Sequence, residues 1–222
     1  MDNLNIILIA PPAAGKGTLA KMVNSKYNLP HISIGDILRT VSSDGTERGK
    51  SISETMAKGD FVSDEIILEL LEERLQQNDC NNGYILDGFP RNIEQALQYE
   101  KVLEKLNKNL GYVFYLEVDK DTAMKRTLGR LSCPKCGSIY NEFSDEMKPK
   151  NNGVCDKCNS SLSRRSDDNA ETFENRFDMY MKKTQPLIDF YKEKDNLYRI
   201  DSSLGKENTF EQIEKIIRGN IW

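Results

Sequence analysis

The sequence has no strong excess of charge and no long apolar run. Its 222 residues carry a formal net charge of -4 and a pI of about 5.3, so the surface as a whole is not expected to attract nucleic acid or an anionic membrane. The first apolar stretch, Leu4 to Ala10, ends at two prolines and lacks the positive start of a secretory signal. No window approaches the roughly 18 apolar residues of a membrane span. We therefore expect a soluble, cytoplasmic protein with neither a nucleic-acid nor a membrane partner.

Histidine is scarce, and the cysteines are few enough to consider one by one. His31 is the only histidine, which leaves little room for histidine-dependent acid-base chemistry, and we expect it to pack or hydrogen-bond within a strand. The chain has five cysteines, and in a reducing compartment metal binding or packing is favoured over disulfide formation. Cys80 stands apart from the other four and is expected to be a free thiol without a role.

Apolar periodicity predicts an α/β fold. Five short runs predict strands: Asn5 to Ala10, His31 to Ser33, Tyr84 to Asp87, Gly111 to Val118 and Leu197 to Asp201. Segments with helical spacing lie between them; Ser63 is the predicted N-cap of one, and Asn208 with Glu211 resembles a capping box at the start of the last. This alternation predicts a parallel sheet covered on both faces, with a ligand crevice at the carboxyl ends of its strands. Residues 33–62 and 129–168 break the pattern and are interpreted as insertions over that crevice.

A loop of small residues follows the first predicted strand and leads into a predicted helix. It comprises Ala13, Ala14, Gly15, Lys16, Gly17 and Thr18. Such a loop points backbone N–H groups at one anion, Lys16 adds a charge for the outer phosphates, and Thr18 adds a hydroxyl near the metal. Ala10 and Gly17 depart from the strict phosphate-loop pattern, and a plain turn with a solvated lysine is the alternative. Ala13 is expected to restrict the loop, because a Cβ disfavours positive φ.

Four cysteines form two matched pairs. Cys133 with Cys136, and Cys155 with Cys158, each enclose two residues, and 18 residues separate the pairs. Two such knuckles let four thiolates converge tetrahedrally, as Zn²⁺ prefers in structural sites. Because sulfur fills all four positions, we predict a structural Zn²⁺ with no part in the chemistry. Disulfides or simple packing are the alternatives.

Four strings of residues resemble the adenylate kinase family in order and spacing: Gly15-Lys16-Gly17-Thr18, Gly35-Asp36-Ile37-Leu38-Arg39, Leu86-Asp87-Gly88-Phe89-Pro90-Arg91 and Arg165-Ser166-Asp167-Asp168. The resemblance covers nearly the whole chain. It implies a P-loop kinase with a five-stranded parallel sheet flanked by helices. The core would be residues 1–32, 63–128 and 169–222, the nucleoside-monophosphate-binding domain residues 33–62, and a zinc-bearing lid residues 129–168. It also implies a monomer that converts MgATP and AMP reversibly into two ADP and so maintains adenine nucleotide balance.

The resemblance also assigns roles by position. ATP-binding residues would be Ala13, Ala14, Gly15, Lys16, Gly17, Thr18, Arg126, Arg130, Ile139, Tyr140 and Leu204. AMP-binding residues would be Ile34, Arg39, Asp60, Phe61, Val62, Gly88, Phe89, Pro90, Arg91, Gln95, Arg165 and Arg176. The catalytic set would be Lys16, Asp87, Arg91, Arg126, Arg165 and Arg176. Arginine suits such a set because phosphoryl transfer needs positioning and charge compensation more than covalent chemistry. Asp87 would orient Mg²⁺ through its waters; an aspartate that caps the following turn is the alternative.

The identity of the phosphoryl acceptor depends on two positions. Ile34 stands where the family usually has threonine beside the AMP base, which leaves a UMP- or CMP-type kinase as an alternative. Gln95 favours AMP, because its amide can read an adenine edge with one donor and one acceptor. A zinc-ribbon module that binds nucleic acid, and a P-loop protein that binds ATP without turnover, are the alternatives from other classes.

Overall fold

Strands and helices alternate along the chain in this computed structural model, which describes residues 3–57, 62–165 and 168–219. The elements are β1 (Leu4–Ile9), α1 (Lys16–Tyr27), β2 (His31–Ser33), α2 (Ile34–Val41), α3 (Glu47–Ala57), α4 (Asp64–Leu75), β3 (Gly83–Asp87), α5 (Ile93–Lys105), β4 (Tyr112–Glu117), α6 (Lys120–Leu128), β5 (Arg130–Ser132), β6 (Ile139–Asn141), α7 (Ala170–Met179), α8 (Gln185–Glu193), β7 (Leu197–Asp201) and α9 (Lys206–Ile217). A 3₁₀ turn, Asn78–Cys80, precedes β3, and a π-helical turn, Tyr180–Thr184, links α7 to α8.

Five strands form one sheet in the order β2-β3-β1-β4-β7. β1 pairs in parallel with β3 and β4, and β2 pairs in parallel with β3. The five predicted strands and the α/β fold class are confirmed. β1 and β3 are buried along almost their whole length, as expected for parallel strands with both faces covered.

Of the two capping predictions, the one for α4 is confirmed and the one for α9 is wrong. Ser63 is the N-cap of α4, as predicted, and its Oγ accepts the backbone N–H of the third residue along at 3.4 Å. The predicted capping box at Asn208 is wrong, because α9 already begins at Lys206. Gly205, with φ of +90°, turns the chain into that helix, and the Asn208 side chain instead accepts a hydrogen bond from Gln212 at 2.9 Å.

The chain clusters into two compact units. The first comprises residues 1–9, 19–115 and 183–199, and the second comprises residues 10–18, 116–182 and 200–222. The first unit holds a large apolar core that includes Ile7, Leu71, Tyr84, Leu86 and Tyr99. The second holds the phosphate loop and a small local core of Leu131, Cys133, Tyr140 and Cys155. The division into core, monophosphate-binding domain and lid stays a prediction.

Every helix among the described residues is too short or too polar to cross a lipid bilayer.

Candidate active site

The phosphate loop contains two residues with positive φ. Ala13 lies in the left-handed region at φ of +57°, and Gly15 at φ of +95°. The N–H of Thr18 donates to the carbonyl oxygen of Gly15 at 3.0 Å, which closes the turn at the start of α1. The loop therefore adopts positive φ at Ala13 in spite of the Cβ. This left-handed conformation costs about 1–2 kcal/mol relative to a right-handed or extended one.

Lys16 lies against the loop's own backbone. Its Nζ donates to the carbonyl oxygens of Ala10 and Pro11 at 3.3 and 3.5 Å. These are long contacts to neutral acceptors, and a phosphate oxygen is a stronger partner for an ammonium group. The lysine is thus positioned where an incoming anion can replace them.

Two arginines of the second unit have specific partners. The Nη2 of Arg126, on α6, donates to the carbonyl oxygen of Ser202 at 2.8 Å. Burial lowers the pKa of Arg126, but a guanidinium remains charged at neutral pH. Arg130, the first residue of β5, donates two hydrogen bonds to the carboxylate of Asp168. Its Nε donates to Oδ2 at 2.8 Å, and its Nη2 donates to Oδ1.

Asp168 is the partner of Arg130, and the sequence did not reveal this pair. Its side chain is fully buried, and that of Arg130 is 19% exposed. A forked pair of this kind holds both groups in one geometry. The only sequence signal was the place of Asp168 at the end of the string that begins with Arg165.

Other residues of the second unit offer accessible groups. The side chains of Arg165 and Arg176 are exposed. Leu204, in the turn after β7, is 63% exposed, and Phe143 is 62% exposed. Phe143 was not among the residues predicted from the sequence; its ring lies against Gly129, where an added Cβ would come 2.6 Å from it. Large apolar side chains held in solvent offer area on which an aromatic base can stack.

The four paired cysteines converge. Their Sγ atoms all lie within 4.8 Å of one another, with Cys133 to Cys158 at 3.4 Å and Cys136 to Cys155 at 3.5 Å. A tetrahedral ion with Zn–S bonds of about 2.3 Å holds its sulfurs about 3.8 Å apart, whereas a disulfide requires about 2.05 Å. The cluster fits a tetrahedral metal, and none of these cysteines is in a disulfide. Cys80 is a buried thiol 3.0 Å from a nitrogen of Arg74, and burial raises its pKa.

Tyr140 belongs to the cysteine cluster. Its hydroxyl lies 3.4 Å from the Sγ of Cys155 and accepts the N–H of Asp156 at 2.8 Å. The hydrogen bond from this hydroxyl lowers the pKa of Cys155 to about 6, which favours the thiolate that a metal needs. With Tyr140 only 8% exposed, its neighbour Ile139 is the more accessible member of the pair predicted to cover ATP.

In the first unit, Asp87 pairs with the single histidine. The Nε2 of His31 lies 3.3 Å from Oδ2 of Asp87, across neighbouring parallel strands β2 and β3. This agrees with the expectation that His31 hydrogen-bonds within a strand, and it identifies the partner. Asp87 keeps a partly accessible carboxylate at the end of β3, and carboxylate oxygen is the kind of ligand that Mg²⁺ prefers.

Several side chains predicted for the AMP pocket are buried, among them Ile34, Phe89 and Val62. Ile34 is 3% exposed within the main core, and Phe89 is 1% exposed, edge-to-face with Tyr99 at 5.9 Å. Phe89 precedes Pro90 through a cis peptide bond. Val62 is buried in a small cluster with Ile52 and Leu70. Any contact that Phe89 makes with a nucleotide would therefore involve its backbone.

Arg39 is exposed and forms an ion pair with Asp36 on the same helix. Partial burial by itself raises the pKa of the Asp36 carboxyl group. The hydrogen bond and the positive charge of Arg39 outweigh it, so that the pKa of Asp36 is lowered. The predicted AMP-site residues Asp60 and Phe61 lie outside the described residues.

Arg91 and Gln95 form a connected group in the first unit. The N–H of Arg91 donates to Oε1 of Gln95 at 2.7 Å, and its Nε donates to the carbonyl oxygen of Gly88 at 2.8 Å. The hydroxyl of Thr184 donates to the carbonyl oxygen of Arg91 at 2.9 Å. Nε2 of Gln95 donates to Oδ1 of Asp64 at 2.7 Å. Thr184 and Asp64 were not anticipated, because each is distant in sequence from its partner.

Comparison with known proteins identifies the family. A family model described as adenylate kinase matches residues 8–196. The chain belongs to the adenylate kinase family. The adenylate kinase of Geobacillus sp. (strain WCH70) is 41% identical over 97% of this chain and 99% of its own length. Those of Archaeoglobus fulgidus and Listeria innocua are 42% and 44% identical over 96% of this chain and 98% and 99% of their own lengths.

Membership of the adenylate kinase family makes the chain an enzyme of nucleotide phosphoryl transfer. The matched segment contains every predicted site residue except Leu204. All residues predicted to bind ATP fall in the second unit. Of the residues predicted to bind AMP that the structure describes, all fall in the first unit except Arg165 and Arg176.

Proposed function

We propose that the protein catalyses reversible transfer of a phosphoryl group from MgATP to AMP, giving two ADP. The observation that carries the proposal is the phosphate loop: Ala13 and Gly15 have positive φ, and the Nζ of Lys16 lies 3.3 and 3.5 Å from the neutral carbonyl oxygens of Ala10 and Pro11, at the start of α1. Relatives named adenylate kinase support the adenine nucleotides as substrates.

The donor nucleotide is bound by the second unit in this proposal. Backbone N–H groups of residues 13–18 and the ammonium of Lys16 hold the phosphates. Arg126 and Arg130 add charge from α6 and β5, and the exposed apolar side chains of Leu204 and Phe143 face the base. Arg165 and Arg176 compensate the charge that develops on the transferring group, which is how arginines accelerate phosphoryl transfer.

The acceptor nucleotide is bound by the first unit. Arg39 and Arg91 supply guanidinium groups for the monophosphate, and the amide of Gln95 reads the base. Mg²⁺, bound with ATP, neutralises phosphate charge, and Asp87 is the carboxylate that would orient its waters.

The cysteine cluster is proposed to hold a structural Zn²⁺. Its four sulfurs would fill the coordination sphere, so no position would remain for water or substrate. The local core of residues 129–168 contains few large apolar side chains, and metal binding would supply the missing cohesion. Residues 129–168 would then act as a lid that excludes water, which otherwise competes with AMP as acceptor. Residues 33–62 would form the monophosphate-binding domain, and the protein would act as a cytoplasmic monomer.

A coupled assay with ATP and either AMP, CMP, UMP or GMP tests the proposed activity. We expect AMP to be the preferred acceptor; a preference for CMP or UMP would overturn the assignment. Lys16→Ala should lower kcat about 100-fold or more, because a preorganised charge on the transferring phosphates is lost. Lys21→Ala, which removes an exposed lysine from the same helix, is the matched control and should change kcat by less than about twofold.

A further inference from the structure

The side chain of Gln95 is buried between two partners of opposite hydrogen-bonding character. It is 5% exposed, and its Oε1 accepts the backbone N–H of Arg91 while its Nε2 donates to the carboxylate of Asp64, both at 2.7 Å. Its own N–H donates to the side chain of Asn92, the N-cap of α5, at 2.8 Å. Two short hydrogen bonds thus hold the side-chain amide in the first turn of α5, and a third holds the backbone of the same residue.

These partners determine which way the amide faces. A backbone N–H can only donate, so it selects Oε1, and an ionised carboxylate can only accept, so it selects Nε2. Reversal would set the NH₂ group against the N–H of Arg91 and the amide oxygen against the carboxylate of Asp64. Both contacts would then be repulsive, and the oxygen and the NH₂ group of the buried Gln95 side chain would each lose a hydrogen bond.

Asp64 is itself well placed to hold this orientation. It is the first residue of α4, directly after the N-cap Ser63, where the helix dipole favours a negative charge. The hydrogen bond that Gln95 donates to Asp64 therefore joins the N-terminal turns of two helices, α4 and α5. A site built on rigid elements keeps its geometry.

One lone pair of Oε1 and one hydrogen of Nε2 remain without a partner among residues 3–57, 62–165 and 168–219. Together they present an acceptor beside a donor. This edge complements adenine, which has a donor at N6 and an acceptor at N1. The same edge does not complement hypoxanthine or guanine, which have an acceptor at O6 and a donor, the hydrogen on N1. With these bases, acceptor would face donor only if the amide were reversed.

We propose that Asp64 is a positioning residue that fixes the Gln95 amide so that the acceptor site selects a 6-amino purine monophosphate over a 6-oxo purine monophosphate. The inference rests on the proposed function, in which Gln95 reads the base of the acceptor. Asp64 acts through Gln95 and does not itself touch the nucleotide.

The test measures kcat/KM for AMP and for IMP at saturating MgATP in the full-length protein. Asp64→Ala should lower the AMP-to-IMP ratio of kcat/KM about tenfold, since the loss of a charge-assisted hydrogen bond releases one of the two constraints on the amide. The change should appear as a higher KM for AMP, with the KM for ATP within about twofold of wild type. Glu65→Ala is the matched control: it removes a carboxylate from the same helical turn, at an exposed position, and should leave the ratio unchanged.

Asp64→Asn keeps the volume of the side chain and serves if Asp64→Ala does not fold. An asparagine can offer either an oxygen or an NH₂ group to Gln95, so it supports both orientations, and the ratio should again fall. A ratio that stays at the wild-type value in a folded Asp64 variant would overturn the inference while leaving the proposed function intact. Wild-type protein that phosphorylates pyrimidine monophosphates in preference to AMP would overturn the proposed function, and the inference with it.

Discussion

Replacement of Ala13 by glycine tests whether the phosphate loop carries backbone strain. Ala13 has φ of +57°, a conformation in which its Cβ crowds the following carbonyl oxygen, and glycine adopts this conformation without that contact. Because the side chain is a single, half-buried methyl group, its removal sacrifices little packing. We therefore expect Ala13→Gly to stabilise the protein, whereas most glycine substitutions destabilise.

The expected magnitude follows from two opposing terms. Relief of the left-handed conformation gains about 1–2 kcal/mol. The greater conformational freedom of glycine in the unfolded chain costs about 0.4–1 kcal/mol. The net gain in free energy of unfolding is then about 0.8 kcal/mol, within a range of about 0 to 1.6 kcal/mol. In a chain of this length the central value raises Tm by about 2–3 °C.

The assay is thermal or urea unfolding of the nucleotide-free protein, with two neighbouring substitutions as controls. Ala14 is 2% exposed and has no positive φ, so Ala14→Gly should destabilise by about 1 kcal/mol or more. Gly15 has φ of +95° and nothing within 4 Å of an added Cβ, so Gly15→Ala should destabilise by about 1–2 kcal/mol through the backbone alone.

A result in which Ala13→Gly destabilises as much as Ala14→Gly would refute the reasoning. The contacts of the Ala13 methyl group would then stabilise the protein by more than its left-handed backbone conformation costs.

Four further substitutions, one of them a control, probe the structure elsewhere. Asp168→Ala should lower the free energy of unfolding in urea by about 3 kcal/mol, because the largely buried charge of Arg130 loses its partner. A loss below about 0.5 kcal/mol would show that the ion pair does not form. Cys155→Ser should abolish stoichiometric zinc in elemental analysis and speed proteolysis within residues 129–168; retention of one zinc per chain would contradict the four-sulfur site. Gly83→Ala should prevent folding, because an added Cβ would lie 2.1 Å from a carbonyl oxygen of β1. Gly153→Ala is the control: an added Cβ there has nothing within 4 Å, so the variant should lose only about 1 kcal/mol of stability through backbone strain. Equal stability of these two glycine variants would contradict the close approach of β3 to β1.

Several features of the site were accessible to sequence reasoning because they are local. The cysteine pairs each enclose two residues, and their sulfurs do converge within 4.8 Å. The loop at Lys16 lies between a strand and a helix, as its small residues indicated. The N-cap at Ser63 was predictable since the hydrogen bond it makes spans three residues.

Other features of the site were missed because their partners are far apart in sequence. Arg130 and Asp168 are separated by 38 positions, and Gln95 and Asp64 by 31. Nothing in the local pattern of either pair indicates the contact. The prediction at Asn208 failed for a related reason: the spacing to Glu211 was correct for a capping box, but the exit of β7 through Gly205 sets the start of α9.

The amino-acid sequence by itself determined the alternation of strands and helices, the phosphate loop, the cysteine pairs and the family, since each depends on periodicity or on spacing over a few residues. Only the tertiary structure decided that Tyr140 supports the cysteine cluster, that Asp87 pairs with His31, and that Asp64 orients the amide of Gln95. Such contacts form between side chains that strand pairing and helix packing bring together. Their geometry depends on the path of the whole chain, and no local pattern encodes it.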